Sequence, residues 1–230
     1  MSTFNQPCVY LVTDRHTLAP DARTPADAIV ALERWLDDAL EAGVDVIQIR
    51  ERDLDATSLC GCVRRVAERA RGRATAVLVN DRADVALAAA ADGVHLRGNS
   101  APEDRVRAMA ASGWLVGRSV HGVDEAVRHG GVDYLLLGTI FPSASKPAGA
   151  GVQGLDVLGR AATASRVPVI AIGGIDPDRA RACAAAGAAG VAGISVFLPE
   201  GRTPGALGPA RATVALRSAL IEGTRDRLQS

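Results

Sequence analysis

The chain is nearly without lysine: Lys146 is the only one, and the other 25 basic residues are arginines. It has no excess charge of either sign, because 26 Lys+Arg meet 26 Asp+Glu. That balance speaks against bulk binding to nucleic acid or to an anionic membrane, while leaving room for a local anion site. Cysteine is scarce. Cys8, Cys60, Cys62 and Cys183 lack the pattern of a disulfide framework and read as thiols that pack like small hydrophobes. Long apolar runs are missing too. Residues 1–7 show no basic segment leading into an apolar one, so no secretory signal is expected. The stretch 182–198 carries no charge but is mostly Ala and Gly, and it reads as helix, turn and strand rather than as a bilayer span. The expected location is the cytoplasm. No linker divides the chain, so residues 1–230 are expected to form a single domain.

What the chain does have is alternation. Eight short β-rich apolar runs, at 8–12, 44–49, 76–79, 93–96, 114–117, 134–137, 168–172 and 190–194, are each followed by a turn and an Ala/Leu/Arg-rich helical stretch. The helices are expected at 25–42, 57–71, 84–91, 102–111, 123–129, 155–164, 178–186 and 209–221. Thr24 is a cap signal for the first, and Gly43 and Gly72 close the first two. The runs are continuously apolar, as strands buried on both faces of a parallel sheet are. Eight β-then-α units predict an α/β fold, a single (β/α)8 TIM barrel. A doubly wound open sheet fits less well, because the first strand leads into Thr13-Asp14-Arg15 rather than a Gly-rich turn.

Polar residues follow these runs unit after unit, which in a barrel places them on one rim, at the C-terminal ends of the strands. Gln48, Arg50 and, if the strand continues, Arg52 alternate at the close of the second run and so share a side of the sheet. Asn80 and Asp81 follow the third run, an amide for ring recognition beside a carboxylate able to bind metal. Arg118-Ser119-Val120-His121 follows the fifth, and His121 is the candidate for proton transfer near neutral pH. Ser143, Ser145 and Lys146 follow the sixth, where the lone lysine can act as a mobile point charge for phosphate. Gly173 and Gly174 after the seventh run, with Ser195 after the eighth, suit a phosphate cradle of backbone N–H groups. The segments 143–154 and 199–209 are expected to be loops of this face.

In this order, Tyr10-Leu11-Val12-Thr13-Asp14-Arg15, Gln48-Ile49-Arg50-Glu51-Arg52, Asn80-Asp81-Arg82, Gly93-Val94-His95, Gly117-Arg118-Ser119-Val120-His121, Gly138-Thr139-Ile140-Phe141-Pro142 and Ile172-Gly173-Gly174-Ile175 resemble the thiamin phosphate synthase/TenI family. The resemblance spans most of the chain and implies a (β/α)8 barrel acting in thiamin (vitamin B1) biosynthesis. It implies that Gln48, Arg50 and Asn80 hold a pyrimidine diphosphate, that Ser119 and Lys146 contact the diphosphate, and that Asp81 is a magnesium ligand. It places Ser143 and Ser145, where the family usually has threonines, on the thiazole side, and Gly174, Ile194 and Ser195 around the thiazole phosphate.

Two departures stand out. Ser100 occupies the position of the synthase's second metal-binding aspartate, and Arg52 that of a lysine. With the Gly-Arg-Ser-Val-His segment, these favour the TenI branch. The expected activity is a thiazole tautomerase needing no cofactor, with His121 moving the proton and Glu51 as a second acid/base. The alternative is thiamin phosphate synthase, which joins the pyrimidine diphosphate to the thiazole phosphate with Mg²⁺ and releases diphosphate. A barrel that only binds a thiazole or thiamin phosphate is the third reading. The expected partners are these small phosphorylated molecules, with no nucleic acid and no membrane, and a homo-oligomer is left open.

Overall fold

A computed structural model describes residue 4, residues 7–143 and residues 151–229. β1 (Cys8–Val12) is followed by α1 (Arg15–Leu18) and α2 (Pro25–Glu41), and β2 (Val46–Ile49) by α3 (Ala56–Ala70). β3 (Ala76–Asn80) leads to α4 (Ala83–Ala88), β4 (Gly93–Leu96) to α5 (Glu103–Arg107), and β5 (Leu115–Val120) to α6 (Val123–Arg128). β6 (Tyr134–Gly138) precedes α7 (Gly154–Ala164), and β7 (Val169–Ile172) precedes α8 (Pro177–Ala185). β8 (Gly190–Gly193) runs into a single 3-10 turn (Ser195–Phe197) and α9 (Gly208–Gln229). All neighbours are parallel, and β8 pairs with β1 to close the barrel in sequence order.

Strand parity sorts the core into two layers. Val9, Leu11, Ile47, Ile49, Val77, Val79, Leu135 and Leu137 join the apolar layer beneath the helices. Cys8, Tyr10, Val12, Val46, Leu78, Tyr134, Leu136 and Ile170 fill the barrel interior with Phe4. Each such fully buried aliphatic or aromatic side chain contributes about 1.5–3 kcal/mol relative to exposure. The interior stays apolar at the strand beginnings and turns polar toward their ends, where Gln48, Asn80, His95 and Ser119 lie.

The helices start where their caps dictate. Thr24 and Asp27 form a reciprocal capping box on α2, and Asp14, Asp55 and Asp176 accept from the first-turn N–H groups of α1, α3 and α8. The sequence-predicted boundaries shift at several points. Asn80 and Ser119 are strand residues rather than turn residues, because β3 and β5 run further toward the rim than their apolar runs. α1 is an added short helix, and α9 extends well past 221. No helix among the described residues is long and apolar enough to cross a membrane.

Candidate active site

One group of rim residues is built on β2, β3 and β4. Gln48 is buried, and its Nε2 donates to Asn80 Oδ1 at 3.3 Å. Beyond Asn80 the chain turns through Asp81, whose φ is +62°, a region that Asp tolerates better than most residues. The Ser100 hydroxyl donates to Asp81 Oδ1, and Arg97 Nε sits 2.8 Å from Asp81 Oδ2. The Arg97 backbone N–H donates to Ser100 Oγ at 2.8 Å, so the three residues close on one another. A cavity of about 190 Å³ opens here, lined by Glu51, Arg52, Asn80, Asp81, Arg82 and Arg97. Partial burial disfavours the charged form of Arg52, and so do the charges of Arg50 and Arg97, while Asp81 opposes them. Three guanidinium groups near one carboxylate leave local positive charge that an anionic ligand would relieve.

The loop carrying Arg97 and Ser100 is held from behind. Arg118, 2% exposed, directs Nη1 to the carbonyls of Arg97 and Gly98 at 3.1 and 3.2 Å. Its Nη2 donates to the Ala101 carbonyl and lies 3.3 Å from Glu103.

The second group sits on β7 and β8, which are paired through Ile172 and Ala192. Gly173 and Gly174 have φ of +104° and +65°. A Cβ on Gly174 would run into the Pro142 carbonyl oxygen, so this close turn requires glycine. Ser195 is exposed and opens the 3-10 turn. The N–H groups of Gly174, Ser195 and Val196 find no acceptor among the described residues. Trp35 of α2 anchors this turn by donating Nε1–H to the Phe197 carbonyl at 3.0 Å. Ile194, predicted as the last residue of the eighth strand, instead caps the 3-10 turn, and its side chain packs into the barrel interior.

The two sequence-predicted acid/base residues are not brought together. His121 is exposed beyond β5, with Nδ1 donating to the Gly138 carbonyl at 2.8 Å. Glu51 follows β2 and is buried. It accepts from Thr13 Oγ1 at 2.5 Å, from the Arg15 backbone N–H, and from Arg15 Nη1 at 2.9 Å. Burial raises the Glu51 carboxyl above its ordinary value despite these donors. Glu51 lines the cavity beside Arg52, but its carboxylate is taken up by Thr13 and Arg15. Ser143 follows β6 on the rim, whereas Ser145 and Lys146 lie outside the described residues.

Sequence reading sets Arg97 and Arg118 among the strand-end residues without giving them a role, and it missed a polar chain inside the barrel. Ser119 Oγ and His95 Nε2 are 2.8 Å apart, His95 Nδ1 is 2.8 Å from the Tyr134 hydroxyl, and that hydroxyl is 2.8 Å from the Tyr10 hydroxyl. Burial, then the charge of Arg118, lowers the His95 pKa to about 3, so the imidazole is neutral. Burial pushes both phenols well above their usual range. Gly117 makes room for the chain, because a Cβ there would overlap the Tyr134 ring. Period-2 counting from Gly93 does place His95 inside the barrel, a signal that was available.

Fold and site together define a (β/α)8 barrel whose rim carries two sets of groups suited to anions. The chain belongs to the thiamine monophosphate synthase (TMP-TENI) family, whose family model matches residues 9–197. It is 35% identical over 197 residues to a thiamine-phosphate synthase of Chlorobium luteolum, covering 85% of this chain and 87% of that one. It is 34% identical over 224 residues to a thiamine-phosphate synthase of a Roseiflexus species, covering 96% and 89%. Among solved structures it resembles a thiamine phosphate pyrophosphorylase from Pyrococcus furiosus, with a TM-score of 0.78, 31% identity, and 96% and 98% coverage. These names fall on the side of the synthase, the alternative of the sequence reading, rather than on the tautomerase it favoured.

Proposed function

We propose that this protein is a thiamin phosphate synthase that couples hydroxymethylpyrimidine diphosphate to a thiazole phosphate and releases diphosphate. The observation that carries this reading is the separation of the two anion-binding groups. A tautomerase acting on one phosphorylated ring needs one phosphate site. A coupling enzyme needs two, one for the leaving diphosphate and one for the phosphate of the second substrate. The cationic group at Arg50, Arg52 and Arg97 suits the first, and the N–H groups at Gly174, Ser195 and Val196 suit the second. The named relatives, alike over most of the chain, support the same choice.

In this reading Gln48 and Asn80 hold the pyrimidine ring by amide hydrogen bonds. Arg50, Arg52 and Arg97 stabilise the charge that grows on diphosphate as its C–O bond to the methylene carbon breaks. The bond's electron pair leaves with the diphosphate. The thiazole, oriented through its phosphate, supplies the ring-nitrogen lone pair that forms the new C–N bond to that carbon. By the family resemblance, Ser143 and Ser145 are assigned to the thiazole side and Lys146 to the diphosphate.

The residues fit a magnesium ion that is shared with the diphosphate. Mg²⁺ is commonly held by one or two carboxylates together with substrate phosphate oxygens. Asp81 supplies one carboxylate and Ser100 a neutral oxygen, and no cluster of three or more His, Cys, Asp or Glu suited to a metal occurs among the described residues. When bound, the ion would neutralise diphosphate charge beside the arginines.

The tautomerase reading keeps one observation in its favour: His121 is exposed at the rim, and its Nε2 has no hydrogen-bond partner among the described residues. A paired assay separates the two. The expected result is formation of thiamin phosphate and diphosphate from both substrates with Mg²⁺, and no interconversion of thiazole tautomers without it. Tautomer interconversion without coupling overturns the proposal.

A further inference from the structure

We infer that the buried chain Tyr10–Tyr134–His95 fixes the hydrogen-bond polarity of Ser119, making its hydroxyl a donor to an anionic oxygen of the ligand at the barrel mouth. The argument is a proton count. Tyr10 and Tyr134 are fully buried, and among the described residues the Tyr10 hydroxyl is bonded only to that of Tyr134. A neutral imidazole carries one N–H.

If His95 carries it on Nε2, Tyr10 donates to Tyr134, Tyr134 donates to Nδ1, and Nε2–H donates to Ser119 Oγ. Every buried proton then has an acceptor, and only the Ser119 hydrogen remains unassigned. If His95 carries the proton on Nδ1, the Tyr134 oxygen receives it, and one phenolic hydrogen is stranded in the apolar interior beside Phe4 and Leu136. A doubly protonated imidazole strands the same hydrogen. A buried donor without an acceptor costs the full desolvation of that group, so the first arrangement prevails.

Ser119 is half-buried at the open end of this chain. With Oγ already accepting from Nε2–H, its own hydrogen is free to point into the mouth. A donor held in this way favours phosphate oxygen over any ligand group that itself donates. His95 is thus a positioning residue that acts through Ser119. The identity of the anion as diphosphate rests on the proposed function, whereas the polarity does not.

The test is nitrogen NMR of protein labelled with ¹⁵N-histidine, with the His95 signals assigned by their loss in His95→Gln, combined with calorimetry of inorganic diphosphate binding. The expected result is a protonated Nε2 and an unprotonated Nδ1 at neutral pH, with the Nε2–H proton moving downfield when diphosphate binds. Ser119→Ala should weaken diphosphate about ten- to a hundredfold, the loss of one hydrogen bond to a charged group. A proton on Nδ1, an imidazolium, or a Ser119→Ala variant that binds diphosphate like the wild type overturns the inference. If these results hold but no coupling occurs, the synthase reading falls and the polarity of Ser119 stands.

Discussion

Replacing Arg118 with Met tests whether the loop bearing Arg97 and Ser100 is set from behind by a buried guanidinium. Arg118 gives hydrogen bonds to the carbonyls of Arg97, Gly98 and Ala101 and lies 3.3 Å from Glu103. Hydrogen bonds that involve a charged group contribute about 1.5–3 kcal/mol each, but they are not additive here, because the freed loop carbonyls can turn to water. Removing one partner from a buried charged set costs about 3–5 kcal/mol, and Met refills the volume of the Arg stem, so the lower end applies. At about 2–4 °C per kcal/mol for a chain of this length, about 3 kcal/mol lowers Tm by about 6–12 °C. Arg118→Lys should lie between, since a single ammonium cannot span three carbonyls as the planar fork does. Steady-state kinetics should show the diphosphate substrate's KM raised about tenfold, a loss near 1.4 kcal/mol, with the thiazole phosphate KM unchanged. Calorimetry and kinetics on one preparation check both halves. A variant that melts with the wild type, or whose two KM values rise together, would refute the reasoning.

Ser100→Asp sets a second carboxylate against Asp81, and in Mg²⁺ titrations of coupling activity the half-saturating Mg²⁺ concentration should fall; a rise shows that Asp81 is not at the metal. Gly174→Ala, at φ +65° with its Cβ against Pro142, should raise the thiazole phosphate KM at least about tenfold while sparing the diphosphate side. Burial pushes the Cys62 and Cys183 thiols up to about 12 and the Cys8 thiol higher still. Mass spectrometry after alkylation at neutral pH should therefore find label on half-buried Cys60 in native protein, and on all four cysteines in denaturant. Burial alone would raise the Glu33 carboxyl, but hydrogen bonds from Arg65 and Arg69 carry it below its ordinary value. Its stabilising effect is thus complete above the unfolded-state pKa and lost as pH falls through the folded one. The Tm advantage of wild type over Glu33→Gln should be full at neutral pH and fade in acid.

The barrel was legible because each strand is a short apolar run closed by a turn, and the limits of β1 and β4 follow from that contrast alone. The failures came where a strand continues through polar residues: Asn80 and Ser119 look like turn residues until the barrel's open end gives them somewhere to point. Glu51 misled for a related reason. It lies at the rim beside Arg52, and only the fold brings Thr13 and Arg15 of the preceding unit against its carboxylate. The role of Arg118 was hidden because its partners are backbone carbonyls 17 to 21 residues away, and no side-chain pattern marks a carbonyl. Ser100 was recognised as a departure, but its hydrogen bond to Asp81 belongs to the folded loop.

That hydrogen bond changes what a metal must do at this rim. Two facing carboxylates would repel, so a site with aspartate at both positions needs a cation to be settled before substrate arrives. With serine at 100, the hydroxyl donates to Asp81 and Arg97 offsets its charge, so the trio is satisfied within the protein. Arg52 remains as positive charge lining the cavity, with the charge of Arg50 near enough to act on it. On the coupling reading, the diphosphate would meet arginines that are cationic without a metal, and Asp81 and Ser100 would hold a magnesium ion that neutralises part of its charge. The Ser100 substitution that argued for a tautomerase on sequence grounds thus becomes compatible with leaving-group chemistry once Arg97 is seen against Asp81.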